Sequence, residues 1–267
     1  MLRAFGVTDK GRVRATNEDY FVIDESRRLC VVADGMGGHN AGEVAARMAV
    51  DAIAGFVRQN QPGDPGAPSS RDAEDTWPFG VDPALSEGGN LLRTAIHLAN
   101  VQILETAGSA DEYGGMGTTV VAMLVTSDRA GDRLSVAHVG DSRLYLVAHG
   151  RLRLLTKDDS WVATVLAQNP ETDPVVLQHH PMRNALTNVV GARARVDVHI
   201  AEETLSGGER FVLTTDGVHG VLDRREFERL VSAAGDLAQL PDDLVKTALA
   251  CGSRDNCTAV VAEYMPD

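Results

Sequence analysis

The chain has 267 residues, of which 43% are hydrophobic and 24% charged, and its formal net charge is −13 at pH 7. These are values of a soluble globular protein, and such an acidic surface argues against nucleic acid or an anionic membrane as a partner. The three cysteines, Cys30, Cys251 and Cys257, form no C-x-x-C pair, which argues against a disulfide framework and against a redox or zinc motif of that kind.

The N-terminal half predicts a β-hairpin and two helices separated by a long loop. Apolar runs predict strands at 20–23 and 29–33 around a polar turn at 25–28, and helices at 41–59 and from about 90. The predicted buried faces are Val44, Met48, Ala52 and Phe56 on the first helix, and Leu92, Ile96, Ala99 and Ile103 on the second. Prolines interrupt residues 61–89, which predicts a loop or ordered excursion rather than a second domain.

The C-terminal half is richer in strands. A meander is predicted from strands at 118–125, 133–140, 143–149 and 151–155, followed by a helix at 157–168 and a surface excursion at 169–183. Further strands are predicted at 196–201, 211–215 and 257–264, with helix at 224–250 broken near Pro241. Blocks of hairpin-connected strands separated by helices predict an α+β fold with antiparallel sheets.

Four aspartates lie at the ends of predicted strands. Asp34 and Asp216 each follow a strand and precede a glycine, whereas Asp19 and Asp255 each precede a strand. An Asp-Gly pair alone is also a common turn. Together, however, several carboxylates at strand ends repel one another unless a cation compensates, and all-oxygen ligation suits Mg²⁺ or Mn²⁺. Gly35 would also let a main-chain carbonyl approach such an ion.

The motifs of the chain resemble the protein phosphatase 2C family, the metal-dependent PPM class, in its bacterial form. The matching segments occur in the family's order and cover nearly the whole chain. They are Arg14–Asp19, Val32–His39, Met116–Thr119, Val139–Arg143, Leu155–Asp158, Arg183–Thr187, Thr214–Gly217 and Ser253–Thr258.

The resemblance implies a role for each matching position. Asp34 would bridge two Mn²⁺ or Mg²⁺ ions, Gly35 would lend its carbonyl, and the other carboxylates of the cluster would be Asp19, Asp216 and Asp255. Asp141, with Asp216, would hold a third and weaker ion. Arg14 would grip the substrate phosphate. His39 is the candidate acid for the leaving oxygen, and the alternative is that it only shapes its loop.

The same resemblance implies the fold and the reaction. The fold would be a four-layer α-β-β-α sandwich of two antiparallel sheets flanked by helix pairs, formed by one catalytic domain over residues 1–267. Phosphoserine and phosphothreonine in proteins would be hydrolysed by a metal-activated water without a phospho-enzyme. The expected partners are phosphoproteins and a cognate serine/threonine kinase, and the chain is expected to be a monomer. A cytoplasmic location is expected because no apolar N-terminal stretch is present.

Several single residues carry narrower predictions. Arg143 is expected to pair with acids near the hairpin, and His138 to be packed or hydrogen-bonded. Bacterial members often have histidine where Asp159 stands, and this difference is expected to change only a local contact. Residues 163–182 correspond to a variable flap near the active site, so substrate preference does not follow from the resemblance.

Two other classes stay open. The chain could be a phosphatase-like sensor module without activity, although its complete acid set argues against this, or a metal-stabilised structural protein. Other phosphatase chemistries are excluded by sequence, since no cysteine is followed six positions later by arginine, and no D-x-D nucleophile pair occurs.

Overall fold

The computed structural model describes residues 1–38, 41–61, 77–128, 131–178, 180–233 and 235–266. The strands are β1 (Leu2–Asp9), β2 (Asp19–Asp24), β3 (Leu29–Met36), β4 (Gly117–Thr118), β5 (Val120–Asp128), β6 (Gly131–Val139), β7 (Arg143–Ala148), β8 (Arg151–Leu154), β9 (His199–Thr204), β10 (Arg210–Thr214) and β11 (Cys257–Tyr264). The α-helices are α1 (Ala41–Asn60), α2 (Glu87–Ala107), α3 (Trp161–Gln168), α4 (Pro174–Gln178), α5 (Asp216–His219), α6 (Arg224–Ser232) and α7 (Leu240–Ala250).

Two antiparallel sheets form the centre of the molecule. One has the order β1-β11-β10-β7-β8, and the other has the order β2-β3-β5-β6-β9, with the short β4 paired to β3. Every pairing between the strands is antiparallel. Hairpins make three of these pairs, β2–β3, β5–β6 and β7–β8, whereas β1 pairs with β11 from the other end of the chain.

Three hydrophobic cores show that the molecule has four layers. The middle core lies between the sheets and contains inward side chains of both, such as Val32, Val121 and Phe211. A second core joins α1 and α2 to the sheet of β3 and β5. A third joins α5, α6 and α7 to the sheet of β10 and β11. The α+β fold with an α-β-β-α sandwich is therefore confirmed.

Most predicted elements are present, with two shifts in register. The buried face of α2 is as predicted, but α1 buries Ala45, Ala49, Ile53 and Val57, one residue along from the predicted stripe, whose members are only half-buried. The predicted helix at 157–168 begins only at Trp161, because the Ser160 side chain caps it by accepting from the Ala163 amide.

Three further differences concern the ends and connections of elements. β1 was not among the predicted elements. The predicted break near Pro241 lies earlier, since α6 ends at Ser232 and Pro241 occupies the first turn of α7. The predicted excursion at 61–89 ends where α2 begins at Glu87, and its residues 62–76 lie outside the described residues.

None of the described helices has the length and apolar character needed to cross a membrane.

Candidate metal centre

Asp19 and Asp34 lie side by side on neighbouring strands. They are direct partners in the register of β2 with β3, so the sheet itself places the two carboxylates together. The main chain of Asp34 is fixed from the other side by Thr119, whose amide donates to the Asp34 carbonyl at 2.8 Å and whose hydroxyl accepts from the Asp34 amide at 3.1 Å. The position of Asp34 in β3 is therefore set by β2 on one side and by the link between β4 and β5 on the other.

The second sheet brings the other two acids to the same end of the sandwich. Asp216 opens α5 directly after β10, and Asp255 lies in the turn before β11. Thr215 lies beside Asp216, and Thr258 lies in β11, the strand that follows Asp255. The hydroxyls of both threonines donate to Asp19 Oδ2, at 2.8 and 2.6 Å. Asp19 therefore joins the two sheets at the site.

A cavity of about 460 Å³ opens between these segments. Its lining includes Asp34, Asp141, Asp216 and Asp255, together with Arg14 at the mouth. Asp19 is buried behind this wall, with 5% of its surface exposed. All five carboxylates predicted from the sequence to hold metal ions therefore lie at one cavity, with Asp19 directly behind it and the other four in its lining.

Burial and mutual repulsion act together on these carboxyls. Burial, above all, raises the pKa of Asp19 to about 7, against two hydroxyl hydrogen bonds that lower it. Burial, with the neighbouring Asp216, likewise raises the pKa of Asp141 to about 7. Burial and then the charge of Asp19 hold the pKa of Asp34 well above its ordinary value. Without a compensating positive charge, these acids favour their protonated forms.

Among the described residues, two carboxylate oxygens are buried without a hydrogen-bond partner, Asp19 Oδ1 and Asp216 Oδ1. A buried carboxylate oxygen normally accepts hydrogen bonds, so an unsatisfied one beside other acids marks a place that a hard cation would fill. Across the described ranges, no three histidine, cysteine or carboxylate side chains form a ready-made cage for one ion. Water and main-chain carbonyls would complete the coordination, as Mg²⁺ commonly requires.

Gly35 lines the cavity with main chain only. Its amide donates to the Glu18 carbonyl at 3.0 Å, and a Cβ at this position would lie 2.0 Å from the carbonyl oxygen of Gly42 in α1. Only glycine lets β3 pass this close to the first turn of α1. This supports the expectation that Gly35 presents its backbone, rather than a side chain, to the site.

Arg14 stands at the mouth of the cavity. Its guanidinium donates to Asp255 Oδ2 at 2.7 Å, and its side chain is 50% exposed. The loop that carries Arg14 is fixed by Asn256. This residue lies in the matching segment Ser253–Thr258, but no role was predicted for it from the sequence. The Asn256 amide group donates to the carbonyls of Lys10 and Thr16 at 2.8 and 2.9 Å and accepts from the Glu18 amide at 2.9 Å.

The narrower predictions have mixed outcomes. Arg143 pairs with Asp158 through two hydrogen bonds of 2.9 and 2.7 Å, as expected. His138 is buried and its Nε2 lies 2.9 Å from the Lys157 carbonyl, also as expected. The Asp159 carboxylate contacts residues up to 40 positions away in sequence, and the expectation that aspartate in place of histidine changes only a local contact stays a prediction. His39 lies outside the described residues.

Comparison with known proteins gives a consistent result. The family model described as "Protein phosphatase 2C" matches residues 10–251. The serine/threonine phosphatase stp of Listeria welshimeri is 31% identical, over 96% of this chain and 93% of that protein. The crystal structure of the Mycobacterium tuberculosis serine/threonine phosphatase PstP/Ppp has a TM-score of 0.82 at 29% identity, covering 99% of both chains. A structure of the PstP catalytic domain with two manganese ions has a TM-score of 0.80 at 28% identity, again covering 99% of both.

Proposed function

The chain belongs to the protein phosphatase 2C family and is a metal-dependent serine/threonine protein phosphatase, and we propose that its acidic cavity is where the phosphate ester is hydrolysed. The observation that carries this assignment is a pair of buried oxygens without a hydrogen-bond partner among the described residues, Asp216 Oδ1 in the acidic wall of the cavity and Asp19 Oδ1 behind that wall. A phosphate group could not approach so many carboxylates unless cations reversed the local charge.

We propose that Asp34 holds both ions of the core site. Asp216 and Asp255 reach the same cavity from the second sheet, Gly35 offers its carbonyl, and Asp19 supports the centre from behind. When bound, divalent cations at such a site lower the pKa of water and neutralise charge on the phosphoryl oxygens. The proposed task of the carboxylates is to fix the ions on rigid strand ends, where small displacements are resisted by both sheets.

We propose that Arg14 binds the phosphoryl group of the substrate. Its guanidinium lies at the cavity mouth, half-exposed, and its only ion-pair partner among the described residues is Asp255. A planar guanidinium can donate two parallel hydrogen bonds to phosphoryl oxygens, which a lysine cannot. The three hydrogen bonds of Asn256 to its loop would keep that guanidinium over the cavity.

Other parts of the proposal rest on the chemistry of the reaction. The leaving serine or threonine oxygen must gain a proton, and His39 is our candidate to donate it. Asp141 is our candidate for the third and weaker ion, because its raised pKa and its neighbour Asp216 favour a cation there.

We also propose a single catalytic domain over 1–267 in the cytoplasm, and a cognate serine/threonine kinase, since such a kinase must first phosphorylate the substrate proteins.

Hydrolysis of p-nitrophenyl phosphate and of a phosphothreonine peptide tests the proposal directly. We expect turnover with Mn²⁺ or Mg²⁺ and none with EDTA, and we expect addition of cation to restore it. Turnover that survives EDTA would contradict a metal-dependent mechanism at this cavity. No turnover despite measurable Mn²⁺ binding would instead favour an inactive sensor module.

Replacement of Arg14 is expected to weaken use of the phosphopeptide. Arg14→Ala removes a charge-assisted donor worth about 1.5–3 kcal/mol, so kcat/KM should fall by roughly 10- to 100-fold at saturating Mn²⁺. Arg14→Lys should be intermediate, since it keeps the charge but loses the planar pair of donors. Steady-state kinetics on the phosphothreonine peptide measure both.

Arg12 offers a matched control, because it is an exposed arginine in the same loop and does not line the cavity. Arg12→Ala should leave kcat/KM nearly unchanged. Equal losses in the Arg12 and Arg14 variants would mean that the loop attracts substrate by general charge, and the specific role of Arg14 would be wrong.

A further inference from the structure

Asp159 lies between β8 and α3, and its carboxylate joins three separate segments. Oδ2 accepts from the Gly140 amide at 3.1 Å and from the side-chain amide of Asn188 at 2.7 Å. Oδ1 lies 2.8 Å from His199 Nε2. With 14% of its side chain exposed, this carboxylate is mostly removed from water. Three partners from three segments make it a junction rather than a surface charge.

One of these segments is the turn that carries Asp141. Gly140 immediately precedes it, and its contact with Asp159 is reciprocal, since the Asp159 amide also donates to the Gly140 carbonyl at 2.9 Å. Gly140 has φ of 94°, and a Cβ there would lie 2.6 Å from the methyl group of Thr119. The turn is thus clamped between Asp159 and Thr119, the residue that also fixes the main chain of Asp34.

A second segment forms part of the cavity wall. The Asn188 side chain bridges Asp159 to the main chain of Asp197, donating to its carbonyl at 2.7 Å, and the Thr187 amide donates to the Asp159 carbonyl at 2.8 Å. Val189, which follows Asn188 in the chain, lines the same cavity as Asp141. Asp159 therefore fixes this wall relative to the turn.

The third segment connects the junction to the sheet. His199 begins β9 and stacks on His138 of β6, with ring centroids 4.9 Å apart. The two residues are partners in the strand register, and His138 Nε2 lies 3.1 Å from the Lys157 amide nitrogen and 2.9 Å from its carbonyl oxygen. The Asp159 carboxylate is therefore held in position relative to the paired strands β6 and β9, which belong to the rigid part of the fold.

We propose that Asp159 is a positioning residue that holds the Gly140–Asp141 turn in place and thereby sets the affinity of the divalent ion at Asp141. In the described part of the chain no side chain hydrogen-bonds Asp141, so its place depends on the turn that bears it. The inference rests on the proposed function, in which Asp141 holds the third ion. Groups that orient metal ligands typically change metal affinity by 10- to 100-fold when removed.

Two substitutions separate geometry from charge. Asp159→Ala removes all three contacts. Asp159→Asn keeps an oxygen for Gly140 and Asn188, and its NH₂ group can donate to His199 Nε2 when that histidine carries its proton on Nδ1. A positioning role predicts a defect in the alanine variant that the asparagine variant largely rescues.

Glu202→Ala is the matched control for loss of a hydrogen-bonded carboxylate. Glu202 lies three positions along β9 from His199 and accepts from the hydroxyls of Ser86 and Ser135, and none of these three residues lines the cavity. It should lower the melting temperature as Asp159→Ala does, but it should leave Mn²⁺ binding unchanged.

Mn²⁺ titration followed by electron paramagnetic resonance, which counts free Mn²⁺, gives the first readout. The difference between the wild type and Asp141→Asn defines the binding step that depends on Asp141. We expect Asp159→Ala to weaken that step about tenfold and to leave the tighter sites unchanged. Amide hydrogen exchange of the metal-free protein gives the second readout, and exchange at residues 140–142 should be faster in Asp159→Ala only.

Three results would overturn the inference. Unchanged exchange at 140–142 in Asp159→Ala would mean that Asp159 does not hold the turn. Faster exchange with an unchanged Asp141-dependent step would mean that the turn does not set ion affinity. Identical Mn²⁺ titrations of the wild type and Asp141→Asn would mean that Asp141 holds no ion. That part of the proposed function would then be wrong, whereas the centre at Asp34 is tested separately by Asp34→Asn.

Discussion

Asp34→Asn is expected to reduce turnover of the phosphothreonine peptide by roughly 1000-fold, about 4 kcal/mol in transition-state stabilisation. Asp34 lies between β2 and the link from β4 to β5, and it lines the cavity with Asp141, Asp216 and Asp255. Asparagine has nearly the same shape but lacks the negative charge that the proposed centre would need to hold its ions. Steady-state kinetics at saturating Mn²⁺ measure the loss, and calorimetric titration should show weakened binding of the tight ions.

The metal-free stability of the same variant distinguishes lost chemistry from lost folding. Burial and the charge of Asp19 hold the pKa of Asp34 well above its ordinary value, so its ionised form is unfavourable in the metal-free fold. Neutral asparagine relieves that repulsion, and we expect Asp34→Asn in EDTA to melt no lower than the wild type. Asp51→Asn, at an exposed position on α1, should change neither turnover nor melting. An active Asp34→Asn variant would refute the assignment of the metal centre.

The positions of the candidate acids follow from sequence where a local pattern fixes them. Asp34 lies near the end of β3 and Asp216 follows β10, and strand ends in a layered fold come together at an edge of the sandwich. The supporting contacts could not be predicted in this way. Asp19 receives hydroxyl hydrogen bonds from Thr215 and Thr258, which are 196 and 239 positions away, and only the pairing of two sheets brings them together.

The fold shows the same division between local and non-local information. The hairpin of β2 and β3 and the helix α2 were predicted from periodicity, because their apolar patterns are local. β1 owes its place to pairing along its whole length with β11, at the opposite end of the chain. The buried face of α1 is rich in alanine, so the larger half-buried side chains Val44, Met48 and Phe56 gave the stronger pattern and shifted the predicted stripe by one residue.

Asp141→Asn is expected to stabilise the metal-free protein increasingly as the pH rises from about 4.5 to about 7. The pKa of Asp141 is raised to about 7 by burial and by Asp216, against about 4 in the unfolded chain. The folded state therefore binds this proton more tightly, so its contribution to stability is present at low pH and is lost as the pH rises through that interval. Roughly 4 kcal/mol separates the two limits.

The comparison must be made as a difference between the variant and the wild type, because buried histidines titrate in the same range. Burial lowers the pKa of His97, His138 and His219, so these groups make the folded state more stable as the pH rises towards 6.5. Their contribution is common to both proteins and cancels. Chemical unfolding in EDTA at half-unit pH intervals measures the difference, which should level off above pH 8.

Added Mn²⁺ should reduce this stabilising difference at pH 7.5. In the wild type the ion supplies the positive charge that the proton supplies at low pH, and it binds only the folded state, so the wild type gains stability that the variant cannot gain in full. A difference that is independent of pH in EDTA would mean that Asp141 is not held among buried acids. A difference that Mn²⁺ leaves unchanged would mean that no ion is held by Asp141.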